Sequence, residues 1–398
     1  MLYPRWLEIA RLHADRPAVI DGETGRSWTF ARLAEEVDAR PPADAPLVAR
    51  TGTAGFFVTV LHAWRDGQAV IPVERDAPEP RLHSAPPPDI RLVKHTPGAA
   101  GIPRGIFFDD ARVIADGDRI AAAMGLTPAT PNLAVVSLAH SYGFSNVVLP
   151  LLLHGVPVHL VAAPFPRVVA DACRSHAAVA LPAVPSMWRA WHRSGILPGL
   201  PIALAVSAGA PLALELERDV FASAGLKLHN FYGASECGGI SFDATDRPRE
   251  SADDAGAPLP GVSVTVDPSG RLRVASDAVA AGYDEVRDAD PLGKGVYLTH
   301  DLGQLDERGR LRLFGTTGGA INVAGRKISP AKVEAALLAT GLVTHVRVSG
   351  QPSPDPERVE EIAARVELAA GATLPQLKQA ALDHLANWEV PRHWQEGR

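Results

Sequence analysis

The segment Asn230-Phe-Tyr-Gly-Ala-Ser-Glu-Cys-Gly-Gly239 follows an apolar run that predicts a buried strand. It places an aromatic ring, a glycine turn, a hydroxyl and a carboxylate within a few residues. At the carboxyl end of a parallel strand, such a turn faces a ligand crevice. We expect Tyr232 to stack on a base, Ser235 to reach a phosphate and Glu236 to bind Mg²⁺ through oxygen. Taken alone, the segment would also suit a loop with an exposed glutamate.

Outward from this turn, the sequence repeats a helical pattern followed by an apolar strand, with glycine at the joint. The repeated units cover residues 56–64 with 69–73, 147–153 with 156–161, and 212–224 with 226–231. Alternation of helices and strands is typical of α/β proteins. The predicted fold class is therefore α/β, with a large N-terminal domain of mostly parallel sheets and helices.

The pattern changes after residue 260 to short alternating segments. Residues 262–266 and 272–274 flank the turn Asp267-Pro-Ser-Gly270, and residues 303–305 and 311–314 flank Asp306-Glu-Arg-Gly309. These hairpins predict a small antiparallel β-region. The glycine-rich stretch from residue 315 to 319 predicts a hinge, so we expect a large domain over 1–315 and a small, shortened and mobile α+β domain over 316–398.

Composition excludes several classes of function. The chain has 398 residues, a net charge of −6 and two cysteines, which disfavours a nucleic-acid partner and a disulfide scaffold. The most apolar stretch is interrupted by prolines and histidines, so no membrane span is expected. Arg5, Glu8 and Arg11 interrupt the apolar N-terminus, which predicts a cytoplasmic protein without a signal peptide.

Two further segments carry polar groups at the ends of predicted strands. His95-Thr-Pro-Gly-Ala-Ala-Gly-Ile-Pro-Arg-Gly105 is a glycine-rich loop whose backbone N–H groups would cradle phosphate. Tyr297-Leu-Thr-His-Asp301 ends a strand with a carboxylate suited to a ribose diol. A plain connector and a solvated aspartate are the alternatives that these residues leave open.

In order, these segments resemble the motifs of the adenylate-forming superfamily, which includes acyl- and aryl-CoA synthetases and adenylation domains. The family's phosphate loop matches Thr96 to Gly105, its Tyr-Gly-x-Thr-Glu matches Tyr232 to Glu236, and its Thr-Gly-Asp matches Thr299 to Asp301. Supporting matches are Ser207-Ala-Gly-Ala-Pro211, Ala139-His-Ser-Tyr-Gly143 and residues 181–191.

The resemblance implies an AMP-forming acid–thiol ligase that uses ATP and Mg²⁺. It implies catalytic roles for Glu236, Arg104 and His140, with Glu236 on the metal. It also implies an acyl pocket lined by His140 and Trp188, although each residue alone would suit a core position. The implied nucleotide-binding residues are Thr96, Gly98, Gly101, Gly209, Tyr232, Gly233, Ser235 and Asp301.

Three motifs depart from the family pattern. The phosphate loop has Pro97, Ala99 and Ala100 in place of hydroxyls, and Arg104 in place of lysine. At the hinge, the family's Gly-Arg-x-Asp is Gly315-Thr-Thr-Gly here. The family's catalytic lysine, expected about twenty residues beyond a Val-Pro, is not found. Because one preorganised donor contributes roughly 100- to 1000-fold in rate, we expect slowed adenylation.

Several alternatives stay open on the sequence. The acceptor thiol is that of a carrier-protein phosphopantetheine, which we favour, or of coenzyme A. An aryl acid is favoured as the substrate, on the aromatic residues near His140, over a medium-chain fatty acid. The competing class is a degenerate relative that binds nucleotide or acyl-adenylate, or performs only half of the reaction. A hydrolase is disfavoured because neither Gly-x-Ser-x-Gly nor His-Glu-x-x-His occurs.

Overall fold

The computed structural model describes residues 1–96, 104–285, 291–316, 321–324, 326–328, 330–355 and 358–397. These residues divide into two units. The larger comprises residues 1–96, 104–299 and 303–314, and the smaller comprises residues 300–302 and the described part of 315–398.

The largest sheet has the strand order β13-β12-β11-β10-β9-β7-β8-β1-β2. Its centre, from β11 to β1, is parallel, whereas β2, β12 and β13 pair in the antiparallel sense. The strands are β1 Pro17–Asp21, β2 Ser27–Thr29, β7 Asn132–Ala134, β8 Val158–Leu160, β9 Val179–Ala183, β10 Ile202–Ser207, β11 Leu228–Ala234, β12 Gly238–Phe242 and β13 Ala257–Pro258.

A second, mixed sheet has the order β16-β6-β5-β4-β3, and a third has the order β14-β15-β18-β17 with β19 on β18. The second contains β3 Leu47–Arg50, β4 Val70–Val73, β5 Ile90–Thr96, β6 Arg104–Asp109 and β16 Gly282–Tyr283. The third contains β14 Ser263–Val266, β15 Arg271–Ala275, β17 Leu292–Gly293, β18 Val296–Leu305 and β19 Leu311–Thr316.

The helices of the larger unit cover the sheets and bury aromatic side chains. Trp6, Phe30 and Phe56 belong to one core cluster, and Trp188 and Trp191 to another. The helices are α1 Leu2–Leu12, α2 Phe30–Asp38, α3 Gly55–Arg65, α4 Asp110–Met124, α5 Ser141–Gly143, α6 Leu149–His154, α7 Pro166–Arg174, α8 Pro185–Arg193 and α9 Leu214–Ala224.

Helix α4 shows why these elements begin and end where they do. The Asp109 side chain accepts a hydrogen bond from the Arg112 N–H at 2.9 Å and caps the first turn. Gly125 ends the helix with a φ of +62°, a conformation that glycine adopts without strain.

The smaller unit has a core of its own. Helices α10 Pro330–Ala339 and α11 Leu374–His384 contribute Val333, Leu337, Leu377 and Ala381 to that core. Its strands are β20 Ile321–Val323, β21 Arg326–Ile328, β22 Val343–Pro352, β23 Glu360–Leu368 and β24 His393–Glu396.

The predicted α/β class, with an antiparallel region and a small α+β part, is confirmed. One element differs from its prediction, because residues 144–148 form a π-helical turn before α6. Pro150 has no N–H for the carbonyl of Asn146, and that carbonyl accepts a hydrogen bond from Asn132 Nδ2 at 3.1 Å instead. No helix among the described residues is long and apolar enough to cross a bilayer.

Candidate functional site

The Glu236 carboxylate lies in a tight turn between two strands. Strand β11 ends at Ala234, β12 begins at Gly238, and Glu236 is half-buried between them. Gly238 has a φ of +69°, and a Cβ there would collide with the Asp116 carboxylate. The two strand ends therefore need small residues to bring the turn against α4.

Glu236 is fixed at both its backbone and its side chain. Its carbonyl accepts a hydrogen bond from the Ala280 N–H at 2.8 Å. Its Oε1 accepts one from the Tyr283 hydroxyl at 3.3 Å. Next to it, the Ser235 hydroxyl accepts a hydrogen bond from Ser141 Oγ at 2.9 Å. The turn thus presents its carboxylate in a defined orientation.

A buried polar cluster lies under this turn. Asp116 Oδ1 accepts a hydrogen bond from the Gly239 N–H at 3.0 Å, and Asp116 Oδ2 accepts one from Ser145 Oγ at 2.6 Å. Lys94 Nζ lies 3.2 Å from Ser145 Oγ and 3.9 Å from Asp116 Oδ2. Burial lowers the pKa of the Lys94 ammonium, and the Asp116 carboxylate opposes that shift.

Lys94, Asp116 and Ser145 were not predicted from the sequence, because they come together only in the tertiary structure. One signal was present, since Lys94 is a charged residue within the otherwise apolar strand β5. The cluster supports the backbone of the turn, because Asp116 accepts a hydrogen bond from the Gly239 N–H.

Arg104 begins strand β6, opposite Thr96 at the end of β5. Its guanidinium lies over the Tyr283 ring, 3.9 Å from the ring centre, and its Nη2 donates to the carbonyl of Glu285. Gly98 and Gly101, predicted to cradle phosphate, lie outside the described residues, as does most of the predicted hinge.

Gly105, at the end of the predicted phosphate loop, is held by a second carboxylate, that of Asp284. The Gly105 N–H donates to Asp284 Oδ1 at 2.9 Å, and the His83 N–H donates to Asp284 Oδ2 at 3.0 Å. A Cβ at Gly105 would lie 3.1 Å from the Asp284 carboxylate, so glycine allows this close approach. Arg104 and Gly105 are therefore both held by residues 283–285.

Gly209 follows the end of the parallel strand β10. It has a φ of +82°, which favours glycine. Nearby on the chain, Ser207 Oγ is buried and has no hydrogen-bond partner among the described residues. An unpartnered buried hydroxyl at a strand's carboxyl end suits a site that a ligand completes.

The two residues predicted to line an acyl pocket have different surroundings. His140 is exposed, and its Nε2 lies 3.6 Å from Glu74 Oε1. Trp188 is fully buried, donates from Nε1 to the carbonyl of Val206 at 3.1 Å, and packs edge-on against Trp191. These positions give Trp188 a packing role in the core, and the pocket role of both residues stays a prediction.

Tyr232 and Gly233 lie on β11, beside the turn. Tyr232 pairs with Ser241 across the hairpin, and a Cβ at Gly233 would lie 2.6 Å from the Gly238 carbonyl. Asp301 is half-buried on β18 and is grouped with the smaller unit. Arg104 and Glu236 thus share a contact with Tyr283, while the ribose role of Asp301 stays a prediction.

Comparison with known sequences gives matches to one family. The sequence profile described as AMP-binding enzyme matches residues 50–284. The long-chain-fatty-acid–CoA ligase FadD15 of Mycobacterium bovis is 33% identical over 185 residues, which are 44% of this chain and 30% of that protein. The uncharacterized acyl–CoA ligase YhfT of Bacillus subtilis is 30% identical over 234 residues, which are 56% of this chain and 47% of that protein. The match spans less than half of either relative.

Among solved structures, the chain is similar to o-succinylbenzoate CoA synthetase (MenE) from Bacillus subtilis. The TM-score is 0.82 at 18% sequence identity, over 99% of this chain and 94% of that chain. At this level of identity, the likeness shows that the two chains share a fold.

Proposed function

Because the chain belongs to the AMP-binding enzyme family, we propose that it activates a carboxylic acid with ATP and passes the acyl group to a thiol. In the first step, a carboxylate oxygen bonds to the α-phosphorus and pyrophosphate leaves, giving an acyl-AMP. In the second, the thiolate sulfur bonds to the carbonyl carbon and AMP leaves. The observation that carries this proposal is the oriented Glu236 carboxylate at the carboxyl end of β11.

The donor set suits Mg²⁺ bound mainly through a nucleotide. Glu236 offers a hard carboxylate oxygen, and within the described ranges no three His, Cys, Asp or Glu residues form a metal-binding group. Mg²⁺ in proteins commonly takes one or two carboxylates, with substrate phosphates and water as its other ligands. Glu236 would hold the ion, which would neutralise charge on the phosphates.

The remaining nucleotide contacts follow the predicted motifs. Arg104 would place its positive charge near the triphosphate, beside Thr96 and the loop glycines Gly98 and Gly101. Tyr232 and Gly209 would contact adenine, Gly233 and Ser235 would flank the phosphates, and Asp301 would bind the ribose. Catalysis would then rest on positioning and on stabilisation of charge at the transferred phosphorus.

For the acyl acceptor, we propose coenzyme A or the phosphopantetheine of an acyl carrier protein. The names of FadD15 and YhfT, both CoA ligases, support coenzyme A. An aryl acid, with His140 and Trp188 near it, is the proposed substrate class. The two cysteines, Cys173 and Cys237, are free and buried, which suits a reducing compartment such as the cytoplasm.

Replacing Glu236 tests the proposal. In Glu236→Gln, we expect acid-dependent exchange of labelled pyrophosphate into ATP to fall by roughly 100-fold or more, because the anionic metal ligand is lost. Glu250→Gln, at an exposed glutamate on the same unit, is the matched control and should keep wild-type exchange. Unchanged exchange in Glu236→Gln would refute the assignment, and nucleotide binding by a wild type that shows no exchange would favour a binding protein instead.

A further inference from the structure

Tyr283 touches both charged groups on which the proposed function depends. It lies on the short strand β16, which pairs with β6, and it is 9% exposed. Its hydroxyl donates to Glu236 Oε1 at 3.3 Å, and its ring lies under the Arg104 guanidinium at 3.9 Å. One side chain therefore links the metal-binding carboxylate to the phosphate-loop cation.

The backbone around Tyr283 holds the same two residues. The Ala280 N–H donates to the Glu236 carbonyl, and the Glu285 carbonyl accepts from Arg104. Asp284 in turn accepts a hydrogen bond from the Gly105 N–H. Residues 280–285 thus form a bridge between the Glu236 turn and the start of β6, with Tyr283 at its centre.

The two contacts of Tyr283 have different chemistry. A hydroxyl that donates to a carboxylate fixes the orientation of that carboxylate, as the outer partners of metal ligands commonly do. An aromatic face below a guanidinium holds it by stacking and by cation–π attraction, for which arginine's planar group is well suited. The ring contact therefore also accounts for arginine at a position where the related proteins are expected to carry lysine.

We infer that Tyr283 is a positioning residue whose hydroxyl orients Glu236 for a divalent cation bound with ATP and whose ring holds Arg104 beside it. This inference rests on the proposed function of the same site. It assigns the hydroxyl to metal affinity and the ring to the guanidinium, so the two contributions are separable by substitution.

Tyr283→Phe in the full chain removes the hydroxyl and keeps the ring. We expect the affinity for Mn²⁺ in the presence of ATP to fall about 10-fold, since loss of an outer partner of a metal ligand typically costs 10- to 100-fold. Binding of ATP without metal should stay within about 2-fold of wild type, because the ring still supports Arg104. Free Mn²⁺ is measured by electron paramagnetic resonance during titration.

Tyr3→Phe is the matched control. Its hydroxyl also donates to a carboxylate oxygen, Asp38 Oδ1, at 3.2 Å. This pair joins helix α1 to helix α2 and does not contact Glu236. It should bind Mn²⁺ and ATP as the wild type does. The double variant Glu236→Gln/Tyr283→Phe should bind Mn²⁺ as weakly as Glu236→Gln alone, because Tyr283 acts through that carboxylate.

The Mg²⁺ dependence of activity is a second measurement, and a purely structural role of Tyr283 would leave this dependence unchanged. In Tyr283→Phe, the Mg²⁺ concentration at half-maximal exchange should rise about 10-fold, while the rate at saturating Mg²⁺ returns to near the wild-type value. A lower rate at all Mg²⁺ concentrations, with unchanged half-saturation, would contradict the inference.

The outcomes separate the inference from the proposed function. Wild-type Mn²⁺ affinity in Tyr283→Phe overturns the inference and leaves adenylation standing. If Mn²⁺ binding is weaker in Tyr283→Phe, the positioning role is supported. If the wild type in addition performs no exchange, the proposed adenylation is overturned while the positioning role stands. A wild type that binds no Mn²⁺ in the presence of ATP overturns the inference as well.

Discussion

Glu236 depends on residues that stand far from it in the sequence. Its carboxylate is oriented by Tyr283, and its turn rests on Asp116, which is itself bound by Ser145 and lies close to Lys94. Hydrogen bonds to a carboxylate constrain its rotamers, so the position of Glu236 is set before any ligand arrives. At this scale, the site is a short turn with a buried polar support.

Gly238 makes that support possible, and replacing it tests the arrangement. Gly238→Ala should lower the free energy of unfolding by about 1–2 kcal/mol for the positive φ and by a further ~1–3 kcal/mol for the collision with Asp116. Gly225→Ala, with a φ of +64° and open space around it, should show only the first loss. Urea denaturation measures both. Equal losses in the two variants would show that Asp116 does not pack against the turn.

Hydrophobic periodicity and glycine positions predicted the helix–strand units well. The predicted helices at 56–64 and 212–224 correspond to α3 and α9, each followed by a parallel strand. The π-helical turn was not predicted. Pro150 has no N–H to donate to the carbonyl of Asn146, and the group that donates instead, Asn132 Nδ2, is brought there only by the tertiary structure. Tyr283 was also missed, since nothing in its local sequence indicates that it faces Glu236.

Helix α9 and strands β11 and β12 are joined by a buried ionic network. Glu217 is fully buried and accepts hydrogen bonds from Lys227 Nζ and from Arg249 Nε, the latter at 2.7 Å. Lys227 also lies 2.6 Å from Asp243 Oδ2, at the end of β12. Such a network needs all of its members, because each charge left unpaired in the interior is costly.

Glu217→Ala should therefore be strongly destabilising. It leaves the Lys227 and Arg249 cations buried without this partner, and we expect the free energy of unfolding to fall by about 3–5 kcal/mol. Glu215→Ala, at an exposed glutamate of the same helix, should change it by no more than about 0.5 kcal/mol. Denaturant melts of both variants check this. Similar stability of the two would mean that the network contributes little.

The family match and the division of the chain into two units bear on different parts of the molecule. The match covers residues 50–284, which include Arg104, Glu236 and Tyr283 but end before Asp301. The Glu236 turn therefore lies within the family match, whereas the proposed ribose role of Asp301 rests on its motif alone. The small unit has a core of its own, and the domain boundary and mobility predicted from the glycine-rich stretch stay predictions.

The pH dependence of stability is a property of the whole chain. Burial lowers the pKa of His13, His95, His154, His159, His176 and His229. A lowered histidine pKa means that folding favours the neutral ring. The resulting stability is present above the ordinary pKa of about 6.5 and is lost as the pH falls below it. We expect the free energy of unfolding to decrease from pH 7 to pH 5.

The pair formed by His159 and His176 contributes to this decrease, because Nδ1 of the first lies 2.9 Å from Nε2 of the second. Two rings at this distance cannot both be protonated without repulsion. His176→Gln should therefore make the free energy of unfolding fall less steeply between pH 7 and pH 5. His384→Gln, at an exposed histidine, is the control. Urea denaturation at several pH values gives the slopes, and identical slopes in all three proteins would contradict the assignment.

Exchange of labelled pyrophosphate into ATP by the wild type, run across a panel of aryl and alkyl acids, measures directly whether this chain forms an acyl-adenylate. We expect exchange to require Mg²⁺, to depend on the added acid and to be fastest with an aryl acid. If no acid supports exchange at saturating ATP and Mg²⁺, this chain does not activate carboxylic acids as acyl-AMP.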